Sequence, residues 1–155
     1  MIIKKVTWQM LSSSEVCRIA NIERGLSRSM PDLRRLEEEW ERLDCFVFSE
    51  GERIVGYVLM EPACAWFPGS IRMVKLRYCW EYNREDVICE IIRSAAAAYP
   101  SAQLVCLDSQ KCRDLNYGVY RKLGFQESPM RSPCGQDHSV LIAATETLKT
   151  PMHAR

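Results

Sequence analysis

Charge of one sign is the first thing this sequence lacks. Its 155 residues carry 21 Lys plus Arg against 20 Asp plus Glu. A chain so balanced has no electrostatic footprint for nucleic acid or an anionic membrane, and neither is expected as a partner. Long apolar runs are missing too, and none reaches the length of a membrane span. The stretch Met1-Ile2-Ile3-Lys4-Lys5-Val6 has no apolar h-region or cleavage site, so it is not read as a signal peptide. Histidine is scarce: only His138 and His153 are present. None of the eight cysteines forms a Cys-x-x-Cys pair. Zinc spacing is therefore absent, and no metal is expected. Repeats, low-complexity tracts and a dividing linker are also missing. One domain over residues 1–148 is expected, with a frayed tail over 149–155.

What is present is a core. A hydrophobic content of 47% with 26% charged residues describes a soluble globular chain able to bury most of its unfolded surface. Most cysteines sit inside apolar runs, as in Cys45-Phe46-Val47-Phe48 and Leu104-Val105-Cys106-Leu107. Free cysteine behaves there as a small buried hydrophobe, and the chain reads as cytoplasmic with reduced thiols.

Periodicity gives the elements. Ile2 to Trp8 reads as a strand. Ser12 and Glu15 have the spacing of a capping box, ahead of an apolar stripe of Val16, Ile19 and Ala20 with Gly25 near its end. Pro31 opens a second helix whose apolar positions are Leu33, Leu36, Trp40 and Leu43. Arg34 with Glu38, Arg35 with Glu39 and Glu38 with Arg42 space charges four apart on its outer face. Cys45 to Ser49 and Arg53 to Met60 form a hairpin around Glu50-Gly51-Glu52. Glu61 to Ser70 is a loop carrying the exposed-looking pair Trp66-Phe67. In the strand Ile71 to Trp80, alternation turns Val74, Leu76 and Tyr78 one way and Lys75 and Arg77 the other. A helix from Arg84 to Tyr99 shows Val87, Ile88, Ile91, Ile92, Ala95, Ala98 and Tyr99 on one face, and Pro100 stops it. Leu104 to Leu107 is a wholly apolar strand. After one more helix, Phe125 to Glu127 starts a strand, Pro129 to Asp137 is a loop, and Ser139 to Thr145 is the last strand.

That last helix carries the most informative residues, Asn116-Tyr117-Gly118-Val119-Tyr120-Arg121-Lys122-Leu123-Gly124-Phe125. Leu115, Val119 and Leu123 share a face, and Gly124 supplies a left-handed stop. A tyrosine preceding Leu-Gly-Phe at this interval resembles the GNAT superfamily of acyl-CoA-dependent N-acyltransferases. The order of elements, from about residue 2 to residue 146, is similar as well. The resemblance implies an α/β (α+β) fold. Its mixed, mostly antiparallel seven-stranded sheet would be flanked by about four helices and splayed between the fourth and fifth strands. Those strands would be Ile71–Trp80 and Leu104–Asp108, parallel neighbours.

The resemblance also implies an activity: acetyl transfer from acetyl-CoA to a primary amine on a small molecule or peptide, by direct attack. Tyr120 would be the general acid that protonates the leaving thiolate. For the general base, Glu81 at the end of the splayed strand is preferred. His138, opening the last strand, comes second, and Glu61 and Tyr78 are further candidates. The pantetheine arm would pair with backbone around Leu76 and Tyr78, and Asn116 occupies a position near that arm. The pyrophosphate would meet the helix start at Arg84, Glu85, Asp86, Val87 and Ile88. Arg113 or Lys111 would serve a phosphate.

The phosphate loop departs from the family pattern. Asn83 stands at the usual Arg/Gln position, and Asp86 and Ile88 stand where small residues are usual. The Asp86 carboxylate has two readings: repulsion of a phosphate, or a cap on the helix start. Arg84 could offset it by contacting phosphate. The same loop supports an alternative in which the domain has lost catalysis and serves in binding or assembly. The acceptor would contact residues Ser27 to Arg35, Ala63 to Ser70 and Met130 to Asp137. Within them, Trp66 and Phe67 would form an apolar wall or, equally, a homodimer contact.

Overall fold

The computed structural model describes residues 1–27 and 31–149. Its helices and strands follow the expected order, with one helix added at the end. They are β1 (Ile2–Val6), α1 (Ser13–Ser27), α2 (Leu33–Arg42), β2 (Asp44–Glu50), β3 (Arg53–Glu61), β4 (Ser70–Tyr78), α3 (Glu85–Ala97), β5 (Leu104–Ser109), α4 (Tyr117–Leu123), β6 (Gln126–Arg131), β7 (Ser139–Ala144) and α5 (Thr145–Lys149). The strands form one seven-stranded sheet in the order β1-β2-β3-β4-β5-β7-β6. Every pairing is antiparallel except β4 with β5, which is parallel.

Both faces of the sheet are covered, as an apolar strand such as β5 requires. On one face Ile19, Ile22 and Trp40 from α1 and α2 pack on Val47, Tyr57 and Leu59. On the other, Val87, Ile88, Ile91 and Ile92 of α3 join Tyr120, Leu123 and Leu148 over Val58, Met73 and Leu107. Of the expected α3 face, Val87, Ile88, Ile91, Ile92 and Ala95 are buried, while the helix ends at Ala97, leaving Ala98 exposed and Tyr99 half-buried beyond it. The capping box of α1 forms in both directions: Glu15 N–H donates to Ser12 Oγ (3.2 Å) and Ser12 N–H to Glu15 Oε1 (2.9 Å). Gly51 turns the β2–β3 hairpin at φ +62°.

Several boundaries differ for local reasons. β1 stops at Val6, and Trp8 opens a short 3-10 turn that sets its indole edge-on to Trp40, at 5.4 Å. α2 starts at Leu33 because Asp32 caps it, accepting from the N–H groups of Arg34 and Arg35, so Pro31 stands before the cap. Leu33 is 47% exposed, outside the apolar stripe. Glu39 does not serve the outer face. Its carboxylate is 2.7 Å from Lys75 Nζ on β4. β6 runs through Arg131, three residues into the expected loop.

After β7 the chain forms α5, where the Thr145 hydroxyl donates to the Ala102 carbonyl (2.7 Å) and Leu148 is fully buried. Lys149 therefore belongs to a helix, and the rest of the expected tail lies outside the described residues. All eight cysteines are free thiols. No helix among the described residues is long and apolar enough to cross a membrane.

Candidate active site

A single extra residue stands in β4 where the sheet opens. β4 pairs with β3 so that Leu59 faces Lys75 while Met60 faces Met73, leaving Val74 as a bulge. The bulge resets the alternation: Ile71, Met73, Leu76 and Tyr78 all face α3, whereas Val74 packs on the opposite core. Strict alternation had grouped Val74 with Leu76 and Tyr78. On the other side of β4, pairing with β5 runs from Ser70–Leu104 to Met73–Leu107 and ends there. Beyond it the β4 edge facing β5 has no strand partner through Tyr78, as the expected splay requires.

The gap holds a cavity of about 570 Å³ whose walls include Leu76, Arg77, Tyr78, Asp108, Arg113, Asp114, Asn116 and His138. A smaller space of about 200 Å³ continues from it to Tyr120, sharing Leu76, Arg77, Asp108, Asp114 and Asn116 as walls.

Tyr120 reaches this floor from α4 and is 5% exposed. The helix is ended by Gly124 at φ +106°, with Gly124 N–H donating to Arg121 O and Phe125 N–H to Tyr120 O (3.0 Å). That stop sets Phe125 edge-on against the Tyr120 ring, at 5.9 Å. Burial, followed by the charge of Asp114, raises the Tyr120 phenol above its ordinary range, with a hydrogen bond to Asn116 acting in the other direction. A phenol so placed keeps its proton at neutral pH.

Tyr78 closes the walls. Its hydroxyl is 3.0 Å from Oδ1 of both Asn83 and Asn116. One hydroxyl proton serves only one acceptor, so the other amide must turn its NH₂ toward the oxygen. This clasp ties the end of β4 to the approach to α3 and to the start of α4. Burial raises the Tyr78 phenol. Asp114 supports the same corner by accepting from Asn116 N–H (2.9 Å) and Ser109 Oγ (3.1 Å).

Of the other expected residues, Leu76, Tyr78, Asn116 and Arg113 line the cleft. Leu115 lies outside the helix and is 70% exposed. Glu81 is not brought to the site. It sits in a 3-10 turn, 59% exposed, 3.7 Å from the Arg53 guanidinium. Glu61 pairs with Arg72 (3.1 Å), and Arg72 lies where β4 and β5 are still joined. The Ala63–Ser70 loop enters β4 at that same closed end, away from the splay. Trp66 is half-buried there under the Arg72 guanidinium, 4.6 Å from its ring, rather than forming a free apolar wall. Part of the Ser27–Arg35 expectation falls on residues outside the described ones.

At the start of α3, Arg84 folds onto Asp86 in a fork, Nη2 to Oδ2 at 2.7 Å and Nε to Oδ1 at 3.2 Å. The hydrogen bond from Arg84, its charge and the N–H groups of Val87 and Asp86 together outweigh desolvation and hold the Asp86 carboxyl below its usual range. Glu85 is paired to Lys122 at 2.9 Å. Val87 and Ile88 point into the core. The first turn is thus occupied by its own charges.

His138 does enter the cleft. Its Nδ1 donates to Asp108, which also accepts from the Ser132 hydroxyl. Sequence reading missed Asp108 and Asp114. The signal was there for Asp108: a carboxylate at the C-terminal end of a buried central strand marks the open side of an α/β sheet. No group of three or more metal-ligating side chains is assembled among the described residues.

No protein-family model and no curated protein matches the sequence. Solved structures do match the fold. An aminoglycoside 6'-N-acetyltransferase complexed with coenzyme A superimposes with a TM-score of 0.72 at 12% identity, over 94% of this chain and 97% of that one. A GNAT-family acetyltransferase from Bacillus cereus gives 0.68 at 11% identity, over 94% and 97%. A ribosomal-protein-alanine N-acetyltransferase from Brucella melitensis gives 0.62 at 13% identity, over 92% and 97%. The chain has the fold of the GNAT acetyltransferases.

Proposed function

We propose that this chain, as one domain over residues 1–148, transfers an acyl group, acetyl in the first instance, from acyl-CoA to a primary amine. The observation that carries the reading is Tyr120: a buried, protonated phenol at the floor of a splay whose β4 edge is free for pairing. The backbone from Val74 to Tyr78 can pair with a pantetheine arm as an added strand would. Arg113, on the cleft wall, is the cation available to a phosphate. Bound acyl-CoA supplies the thioester to be cleaved. As the C–S bond breaks, the Tyr120 hydroxyl gives its proton to the sulfur. Tyr78 and Asn116 hold the β4 and α4 walls at fixed separation while this happens. Eight free cysteines fit a reducing compartment, the cytoplasm.

A second reading rests on the start of α3, where Arg84 and Asp86 fill the turn on which a pyrophosphate would rest. It holds that the domain keeps the fold as a binding or assembly module. Calorimetry with acetyl-CoA and desulfo-CoA, paired with thiol release over a panel of amines, separates the two. Binding together with thiol release is expected. Tyr120→Phe should leave affinity unchanged and lower turnover, because the hydroxyl acts when thiolate departs. No binding at millimolar ligand would refute the enzyme reading.

A further inference from the structure

Resting on the acyl-transfer reading, we infer that His138 is the group that takes the proton from the attacking amine, with Asp108 as the positioning residue that sets its tautomer. Hydrogen-bond chemistry sets the tautomer. An ionised carboxylate only accepts, so the Nδ1 that meets Asp108 must carry the ring proton. The lone pair then lies on Nε2. Among the described residues that nitrogen has no hydrogen-bond partner, and Asp137 Oδ1 lies 4.0 Å from it. His138 is a wall of the 570 Å³ cleft, so a substrate in the cleft lies beside its ring.

Asp108 is itself fixed. It is half-buried at the end of β5 and is held on its other oxygen by the Ser132 hydroxyl. The three residues form a chain that leaves the β6–β7 loop at Ser132, passes through Asp108 of β5 and returns to the last residue of that loop, with the imidazole at its end.

The competing bases are engaged or elsewhere. Asp114 accepts two hydrogen bonds, Glu81 pairs with Arg53 outside the cleft, and Tyr78 is a protonated phenol. The charges that face the imidazole are Asp108, Asp137 and, across the cleft, Arg77, Arg113 and Asp114. Asp137 is tied back by the Gln110 amide.

The Asp108 wall is shared by the space that reaches Tyr120, so acid and base serve one cleft from two sides. The step balances. A neutral amine forms the N–C bond to the thioester carbonyl and its N–H proton passes to Nε2. The C–S bond breaks and sulfur takes the Tyr120 proton. The imidazolium then returns its proton to the Tyr120 phenolate through solvent. The products are an amide and a free thiol.

The test reads the ring directly. The chain has two histidines, so His138→Gln assigns the His138 signals in a ¹⁵N imidazole spectrum. The expected wild-type state is the Nδ1–H tautomer, converted toward Nε2–H in Asp108→Asn, whose carboxamide can offer a donor instead. Saturating desulfo-CoA should shift the His138 signals and slow carbethoxylation of His138 by diethyl pyrocarbonate several-fold. In thiol release, His138→Gln should lower kcat by about 10²–10⁴-fold and leave KM for acetyl-CoA unchanged.

An Nε2–H tautomer in the wild type overturns the inference. So does a His138 that does not sense desulfo-CoA bound elsewhere on the protein, or a His138→Gln variant with full kcat. If the wild type binds no CoA, the acyl-transfer reading fails and the proton-acceptor role falls with it. If it binds and turns over while His138→Gln is unaffected, only the role of His138 fails.

Discussion

Gly56→Ala tests the part of the fold that positions the cleft. Gly56 lies in β3 opposite Tyr78, and the fully buried Phe48 of β2 folds over it. A Cβ at residue 56 would stand 2.0 Å from Phe48 Cζ, 2.3 Å from Cε2 and 2.5 Å from the Arg77 carbonyl oxygen. Unstrained carbon contacts begin near 3.5 Å, so the ring must move by about 1.5 Å. Overpacking of this kind costs about 1–3 kcal/mol, and two obstructed neighbours place the substitution at the upper end. For a chain of this size that is a fall in Tm of roughly 6–12 °C.

A double-mutant cycle separates the two contacts. Phe48→Leu removes both ring atoms, so the Gly56→Ala penalty should shrink by about 1 kcal/mol in that background, the remainder being the Arg77 carbonyl. Because that carbonyl belongs to β4, Gly56→Ala should also weaken desulfo-CoA binding while Phe48→Leu does not. Denaturation curves and calorimetry on the four proteins suffice. Additive penalties would refute the argument, as would an alanine variant that melts like the parent.

Two further outcomes follow from named contacts. Asp86→Gly should tighten CoA binding several-fold by freeing Arg84 and the first N–H groups of α3, with a gain that shrinks as salt is added; a titration showing no gain would assign the turn to helix structure alone. Glu23 gives a pH dependence. Burial raises its carboxyl, but the Tyr57 hydroxyl, Lys75 and Arg77 outweigh burial and bring it below its ordinary 4.5. A depressed carboxyl stabilises the fold fully above its unfolded pKa and loses that contribution as pH falls through the folded one. Glu23→Gln should therefore cost stability at neutral pH and converge with the parent below about pH 4.5; parallel curves down to acid would refute the assignment.

The fold was legible because its signals are local and repeated. The Ser12–Glu15 box, the Gly51 turn, the α3 stripe and the Gly124 stop each name one element, and their order names the sheet. What stayed hidden depends on partners distant in sequence. Val74 is indistinguishable from an alternating residue until β3 is laid beside it. Glu39 sits in an outward charge pattern and is turned inward by Lys75, a residue 36 positions away. α5 is too short to show a period and is fixed by the Ala102 carbonyl. The site divides the same way. Tyr120 belongs to a local motif. The Asp108–His138 pair spans 30 residues and exists only because β5 and β7 are neighbours. Glu81 was placed by its distance along the chain from β4, and the 3-10 turn carried it out to Arg53.

The bulge at Val74 also fixes a parity. The residues before it and after it obey opposite odd–even rules, so a one-residue deletion there would not merely shorten β4. It would exchange the two sides of the strand's C-terminal half. Lys75 and Arg77, which now meet Glu23 beneath α1, would be driven against the aliphatic face of α3, and Leu76 and Tyr78 would be handed to the carboxylates. One inserted valine thus decides which chemistry each face of the sheet offers, although its own side chain packs in the core on the side opposite Tyr120.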